Sequence, residues 1–165
     1  GAGSTQHIAA ELFKDATGIF VTHIPYRGSG PALVDLIAGQ VQMSFDTLPS
    51  VIGHIKAGNI KALAVAAPKR NHQLPNVPTL AEAGIQGVEM SAWYGIYMPA
   101  NTPKAVQDRV LEEVSRVLTL PETKARLDGI GAEINPMTQA QFAAFHASEF
   151  QRFGRLITKK NIKLD

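Results

Sequence analysis

The spacing of apolar residues predicts that the chain begins with an amphipathic helix. From residue 4 to residue 17, apolar side chains recur at intervals of three and four, which places them on one face of an α-helix. These residues are Ile8, Ala9, Leu12, Phe13 and Ala16. Ser4 and Thr5 are residue types that cap helix N-termini, and Gly18 is a typical stop.

Strands and helices are predicted to alternate up to about residue 92. The β-branched and apolar runs predict strands over 19–24, 41–45 and 60–67, and the last run is apolar enough to be buried on both faces. Helices are predicted between them, over 31–38 and 47–57. Thr79 and Glu82 form a capping-box pattern that predicts a short helix ending at Gly84. This order predicts an α/β fold with a mostly parallel sheet.

The second part of the chain is predicted to be mainly helical. An apolar and aromatic strand is predicted over 88–98, and a short strand over 132–134. Helices are predicted over 103–119, 121–129 and 138–160. Their apolar stripes, which include Phe142, Phe145 and Phe153, need more covering surface than this part of the chain supplies.

Composition narrows the possible functions. Of 165 residues, 45% are hydrophobic and 18% charged, so the chain can bury a core. The net charge is +2 and Lys and Arg never form a run longer than two, which argues against a nucleic-acid surface or a polybasic membrane patch. The absence of Cys excludes disulfides and thiolate chemistry. No nucleophile elbow, phosphate-binding loop or histidine pair with metal-ligand spacing is present, so we expect no catalytic residues, no metal and no cofactor.

The residues at the start of the first predicted helix are candidates for anion binding. Gly3, Ser4 and Thr5 combine small side chains with hydroxyl donors at a helix N-terminus, where unpaired N–H groups favour a carboxylate or phosphate. The same residues also suit an ordinary helix cap. His7 lies on the first turn, where it would either add a donor or face water.

Further candidates follow predicted strands. Tyr26 comes after the first strand, and Asp46 with Thr47 after the second, at the strand ends where α/β sheets bind ligands. Asp46 would either face a ligand or cap the next helix. Trp93 and Tyr94 would either belong to a core or line a pocket.

Several motifs together resemble one protein family. Residues 23–32 (HIPYRGSGPA), 35–41 (DLIAGQV), 74–84 (LPNVPTLAEAG) and 99–103 (PANTP) are similar to segments of the tripartite tricarboxylate transporter substrate-binding proteins, the Bug or TctC type. Phe45-Asp46, Trp93-Tyr94-Gly95 and the opening Gly3-Ser4-Thr5-Gln6-His7 agree with the same pattern, and Asn101 replaces a usual Gly. The resemblance runs essentially from end to end.

The resemblance implies a periplasmic receptor with a two-lobed, type II periplasmic-binding-protein fold. Such a receptor closes on a small organic carboxylate and delivers it to membrane subunits of a transporter, without catalysis or a cofactor. It holds the ligand through loop amides, hydroxyls and water. On this basis the expected ligand-binding residues are Gly3, Ser4, Thr5, His7, Tyr26, Asp46 and Thr47.

The resemblance also implies that an N-terminal lobe with a Gly-rich loop is missing from this sequence. Residues 1–92 are then the second lobe, and residues 93–165 are a crossover strand with helices that return to the first lobe. We expect the apolar helices to be covered by self-association or rearrangement. The alternatives are a ligand-sensing effector domain of a LysR-type regulator and an enzyme on the same fold. The lack of a helix-turn-helix and of paired catalytic groups argues against them.

Overall fold

A computed structural model describes residues 1–160. Within this range the chain forms six α-helices: α1 (Thr5–Thr17), α2 (Ser29–Ile37), α3 (Leu48–Lys56), α4 (Lys104–Thr119), α5 (Pro121–Gly129) and α6 (Gln139–Lys160). Every long helix predicted from the sequence is present, with ends that differ by two residues or fewer. The last five residues of the predicted second unit, 161–165, lie outside the described residues.

The first helix is bounded by the predicted caps. The Ser4 side chain accepts a hydrogen bond from the His7 backbone N–H at 3.2 Å. At the other end, Gly18 adopts a left-handed conformation with φ +68° and donates its N–H to Lys14 O at 2.8 Å. Both ends therefore satisfy backbone groups that the helix leaves without partners.

The predicted strands do not form ladders in the part of the chain that the structure describes. Segments 19–24, 41–45, 60–67, 88–98 and 132–134 connect the helices, and the one bridge found there is parallel, between Val65 and Thr79. Leu63 is 70% exposed, so the prediction that 60–67 is buried on both faces was wrong. Strand formation depends on a neighbouring strand at hydrogen-bonding distance, and a hydrophobic run does not specify that neighbour.

The predicted helix at 79–84 is a series of turns. Its capping box is nevertheless formed, since Thr79 N–H donates to Glu82 Oε2 at 2.8 Å and Glu82 N–H donates to Thr79 Oγ1 at 3.0 Å. The Arg70 guanidinium donates to the same carboxylate at 2.8 Å and lowers the pKa of Glu82. The segment ends at Gly84, which has φ +85°, and it is too short to propagate a helix.

The core lies between α1, the segment 88–90 and the C-terminal half of α6. Ile8, Leu12 and Val88 are at most 6% exposed, and Ala9 and Met90 belong to the same cluster. Phe153 and Leu156 of α6 pack against it. The C-terminal half of α6 thus covers residues of the predicted 1–92 unit.

The N-terminal half of α6 packs on the aromatic segment at 93–97. The Trp93 ring lies 5.8 Å from Phe142 and 5.2 Å from Phe145, centroid to centroid, with edge-on geometry. The Trp93 indole N–H donates to Glu149 Oε2 at 3.1 Å. Trp93 therefore has the packing role that the sequence allowed, whereas Tyr94 is 78% exposed.

The contacts of Glu149 predict an acid-sensitive contribution to stability. Hydrogen bonds from Arg152, at 2.7 and 2.9 Å, together with the one from Trp93, lower the pKa of Glu149. A lowered pKa in the folded state contributes stability above the unfolded value of about 4.3, and that stability is lost as pH falls through the folded pKa. Urea unfolding at pH 6 and pH 3 should therefore show Glu149→Gln losing about 1 kcal/mol at pH 6 and much less at pH 3. Glu89→Gln, at an exposed glutamate, is the control, and an equal loss from Glu149→Gln at both pH values contradicts the prediction.

Candidate functional site

The start of α1 presents a set of hydrogen-bond donors with few competing acceptors. The helix has no acidic residue in its first turn. The Ser4 side chain accepts the hydrogen bond from the backbone N–H of His7. The backbone N–H groups of Thr5 and Gln6, in the same first turn, have no acceptor inside the helix. The hydroxyls of Ser4 and Thr5 lie on the same turn. This end of the helix favours a negatively charged group.

His7 occupies neither of the positions that the sequence left open. It is 5% exposed, and its Nδ1 accepts a hydrogen bond from Gly3 N–H at 3.1 Å. Its ring stacks on the ring of His23, with centroids 4.1 Å apart and planes 11° apart. His7 Nε2 lies 3.8 Å from Glu11 Oε1. The spacing of four residues places both side chains on one helix face.

Tyr26 lies beside the residues that precede α1. A Cβ built on Gly1 would lie 3.0 Å from the Tyr26 backbone oxygen, so the two segments pass close to each other. The Tyr26 hydroxyl donates to Asp35 Oδ2 at 2.6 Å. This hydrogen bond raises the pKa of Tyr26, because ionisation would break the bond and place a phenolate beside a carboxylate. Tyr26 therefore stays a neutral phenol.

Asp46 joins the starts of α2 and α3. Its Oδ1 accepts from Ser29 Oγ at 2.7 Å and from Thr47 N–H at 2.8 Å. The Thr47 hydroxyl lies 3.1 Å from Ser50 Oγ, one turn into α3. Asp46 does not cap α3, because the N-cap residue is Thr47 and the start of α3 has no side-chain cap hydrogen bond, so the ligand-facing role of Asp46 stays a prediction.

The predicted residues form two neighbouring groups. Gly3, Ser4, Thr5 and His7 lie at the start of α1, where the backbone of Tyr26 passes close to Gly1. Asp46 and Thr47 lie with Ser29 at the starts of α2 and α3. Two residues, Arg27 and Gly28, connect the two groups along the chain, between Tyr26 and α2. Phe45, next to Asp46, also contacts Phe13 of α1, with ring centroids 5.5 Å apart.

Sequence reasoning missed Ser29 and Asp35 as members of the site. Both fall in segments whose motifs were recognised, yet their partners lie 17 and 9 residues away along the chain. No local spacing rule relates residues so far apart in a loop. The sequence signal for the contact between Ser29 and Asp46 would have been a hydroxyl residue at the start of one predicted helix and a carboxylate residue at the start of the next helix.

A separate open depression of about 560 Å³ lies at the C-terminal end of α3. Ile55, Asn59, Lys61 and Val77 are among the residues that line it, and none of the predicted binding residues does. Residues 1–160 also contain no group of three His, Asp or Glu side chains arranged to hold a metal ion. No helix in that range is long and apolar enough to cross a membrane.

Comparison with known families identifies the chain. The model of the tripartite tricarboxylate transporter family receptor (TctC) matches residues 1–162. The chain belongs to this family. It is a family of solute-binding receptors rather than enzymes, which favours the receptor prediction over the regulator and enzyme alternatives.

Curated relatives agree with this assignment. The chain is 35% identical over 160 residues to the UPF0065 protein in the tcbD-tcbE intergenic region of Pseudomonas sp. (strain P51), covering 96% of this chain and 48% of that protein. It is 34% identical over 165 residues to protein BugT of Bordetella pertussis, covering 98% and 50%. A UPF0065 protein of Pseudomonas knackmussii is 33% identical and is covered over 94% of its length. Apart from this shorter protein, the chain spans about half the length of these relatives.

Solved structures define the fold. R. palustris Rpa4515 with adipate superposes with a TM-score of 0.92 at 34% identity, over 97% of this chain and 54% of that one. The periplasmic binding protein BugD gives 0.90 at 30% identity, over 98% and 55%. MatC (Rpa3494) from Rhodopseudomonas palustris with bound malate gives 0.86 at 30%, over 94% and 54%. The chain therefore has part of a type II periplasmic-binding-protein fold.

Proposed function

We propose that this chain is the part of an extracytoplasmic solute receptor that binds a small organic carboxylate at the start of α1. The observation that carries the proposal is the capped start of α1, where Ser4 takes the His7 N–H and leaves two backbone N–H groups and two hydroxyls together. We call Gly3, Ser4 and Thr5, with the Gln6 N–H, the anion seat.

The chemistry of the anion seat matches a carboxylate. An ionised carboxylate has two oxygens with about four acceptor positions and no donor. The Ser4 oxygen accepts the capping bond, so its O–H can still donate outward, and Thr5 Oγ1 donates only to the neighbouring Gln6 side chain at 3.2 Å. Gly3 has no side chain to block the approach of the ligand. Adipate and malate, bound in two solved relatives, are dicarboxylates and support this ligand class.

The remaining predicted residues take supporting roles in this proposal. The backbone of Tyr26 passes beside Gly1, and its side chain is a neutral phenol that donates to Asp35, which leaves its oxygen available as an acceptor. Asp46 and Thr47 set the start of α3 against α2, and Thr47 adds a hydroxyl at that edge.

We also propose the organisation of the receptor around this seat. Residues 1–92 form one lobe, and 93–165 contain the crossover and the helices that pack on another lobe, which completes the cleft and closes over the ligand. The receptor works in the periplasm and passes its ligand to the membrane subunits of a tripartite tricarboxylate-type transporter. Side chains such as Phe20, 90% exposed, and Phe150, 75% exposed, support contact with that lobe or, in this chain alone, self-association.

Removing the hydroxyls of the seat should weaken ligand binding. We expect Ser4→Ala with Thr5→Val to reduce affinity for malate or adipate by roughly 10- to 100-fold, which corresponds to about 1–3 kcal/mol for hydrogen bonds to a charged group. Isothermal titration calorimetry measures this directly. Thr138→Ala is the matched control, because Thr138 caps α6 through the same bond, to Gln141 N–H at 3.2 Å, and lies outside the seat. Equal affinity in the double variant and in Thr138→Ala contradicts the proposed seat.

A further inference from the structure

A buried imidazole holds the loop that forms the anion seat. Gly3 N–H donates to His7 Nδ1 at 3.1 Å, while the His7 N–H donates to Ser4 Oγ at 3.2 Å. His7 therefore makes one hydrogen bond to each of the two residues that precede α1. The arrangement differs from a capping box, because the imidazole accepts from Gly3, one residue before the N-cap, while the N–H of Ser4 donates to Gly1 O at 3.2 Å. With 5% exposure, His7 reaches a ligand through the residues it positions rather than by direct contact.

We propose that His7 is a positioning residue for the anion seat, and that it holds the seat only while its Nδ1 is unprotonated. A neutral imidazole has one acceptor nitrogen, and an imidazolium has none. Protonation at Nδ1 would place an N–H donor against the Gly3 N–H donor, and the hydrogen bond that closes the loop would be lost. This inference rests on the proposed function and adds a pH dependence to the same site.

Two neighbouring groups, Glu11 and His23, would interact with the positive charge of a protonated His7 ring. Glu11 lies 3.8 Å from Nε2, but it also accepts an ion pair from Lys14 at 2.8 Å, which offsets its charge. His23 stacks on the other face at 4.1 Å, and two stacked imidazolium rings repel each other. In the neutral ring the proton is therefore on Nε2, and a second proton can be taken up only at Nδ1, where it breaks the hydrogen bond from Gly3.

The proposal predicts an unusual sign for the pH dependence of ligand binding. If His7 donated directly to the carboxylate, acidification would add a positive charge and strengthen binding. Because His7 acts through the Gly3 backbone, acidification instead releases the loop and weakens binding. The direction of the change separates the two roles.

The first test does not require a ligand. Nitrogen-15 NMR of the wild-type chain between pH 4.5 and pH 8 should show His7 with an unprotonated Nδ1 at the alkaline end. The Gly3 amide signal should move with the same midpoint as the His7 ring nitrogens. A Gly3 amide that does not follow His7, a His7 ring that does not titrate, or a proton on Nδ1 at pH 8 overturns the inference.

The second test measures malate and adipate binding at pH 8 and at an acidic pH at which the NMR titration shows the His7 ring to be protonated. We expect wild-type affinity to fall at least several-fold at that acidic pH, relative to His7→Gln, which keeps an acceptor oxygen but does not titrate. Because the Gln side chain does not titrate, any pH dependence of binding in His7→Gln reports ionisation of the ligand. His7→Leu should bind weakly at both pH values. Wild-type affinity that rises on acidification, or that changes as it does in His7→Gln, overturns the inference. Failure of both ligands to bind at pH 8 to a receptor that includes the lobe completing the cleft contradicts the proposed function, while the NMR titration still decides the role of His7.

Discussion

Replacing Leu12 with alanine is expected to lower the free energy of unfolding by about 2–5 kcal/mol, the range for replacing a packed leucine with alanine and leaving a cavity. Leu12 is 6% exposed and lies in the cluster with Ile8, Val88 and Met90. The side chains of α6 that cover this cluster cannot collapse into the space without moving the helix. Because domains are stable by only about 5–15 kcal/mol, such a loss is a large share of the total.

Leu63→Ala is the matched control for this prediction. The same atoms are removed, but Leu63 is 70% exposed, so the expected change is within about 0.5 kcal/mol. Urea denaturation followed by circular dichroism compares the two variants. Equal losses in both would mean that α6 does not cover α1 in solution, or that Leu63 is buried there by a second copy of the chain.

Gly95→Ala is expected to destabilise the chain by about 1–3 kcal/mol through overpacking. A Cβ built at Gly95 would lie within contact distance of three atoms of the Phe142 ring, the nearest of them inside the van der Waals limit. That ring cannot simply turn aside, because Trp93 packs on it with centroids 5.8 Å apart and Tyr97 with centroids 5.5 Å apart. The added methyl group should push the 93–97 segment away from α6.

Two further variants isolate this contact. Gly154→Ala makes the same change on α6 where no atom lies within 4 Å of the new Cβ, and it should stabilise the helix by up to about 1 kcal/mol. Phe142→Leu in the Gly95→Ala background should recover part of the loss. Fluorescence of Trp93, the single tryptophan of the chain, monitors the segment directly during unfolding. A Gly95→Ala variant as stable as wild type contradicts the close packing.

The helices of this protein could be predicted from the sequence because their determinants are local. The start of α1 depends on Ser4 and His7, three residues apart, and the start of α6 depends on Thr138 and Gln141 at the same spacing. Residues three or four apart meet on any helix, whatever the rest of the fold does. The family resemblance rests equally on short contiguous motifs, and the family match over residues 1–162 confirmed it.

The candidate site could be predicted only in part, for the same reason. Ser4 and Thr5 were identifiable as a helix start that favours an anion, which stays a prediction until binding is measured. Asp46 was identifiable as a residue at a helix start, but its partner Ser29 was not, because the two are 17 residues apart. The stacking of His7 on His23 likewise required two segments to meet, and nothing in the spacing of histidines indicates it.

By itself, then, the sequence determined the long helices, the caps of α1, the family and the position of a helix start suited to a carboxylate. The tertiary structure alone decided that the apolar segments lie beside one another without ladders, apart from the parallel bridge at Val65 and Thr79 in the part described. It also decided that His7 is buried next to the loop that precedes α1, and that Trp93 donates a hydrogen bond to Glu149, 56 residues away. The physical reason is range: caps and helix faces depend on neighbours within one turn, whereas strand pairing, ring stacking and burial depend on which distant segments the folded chain brings into contact.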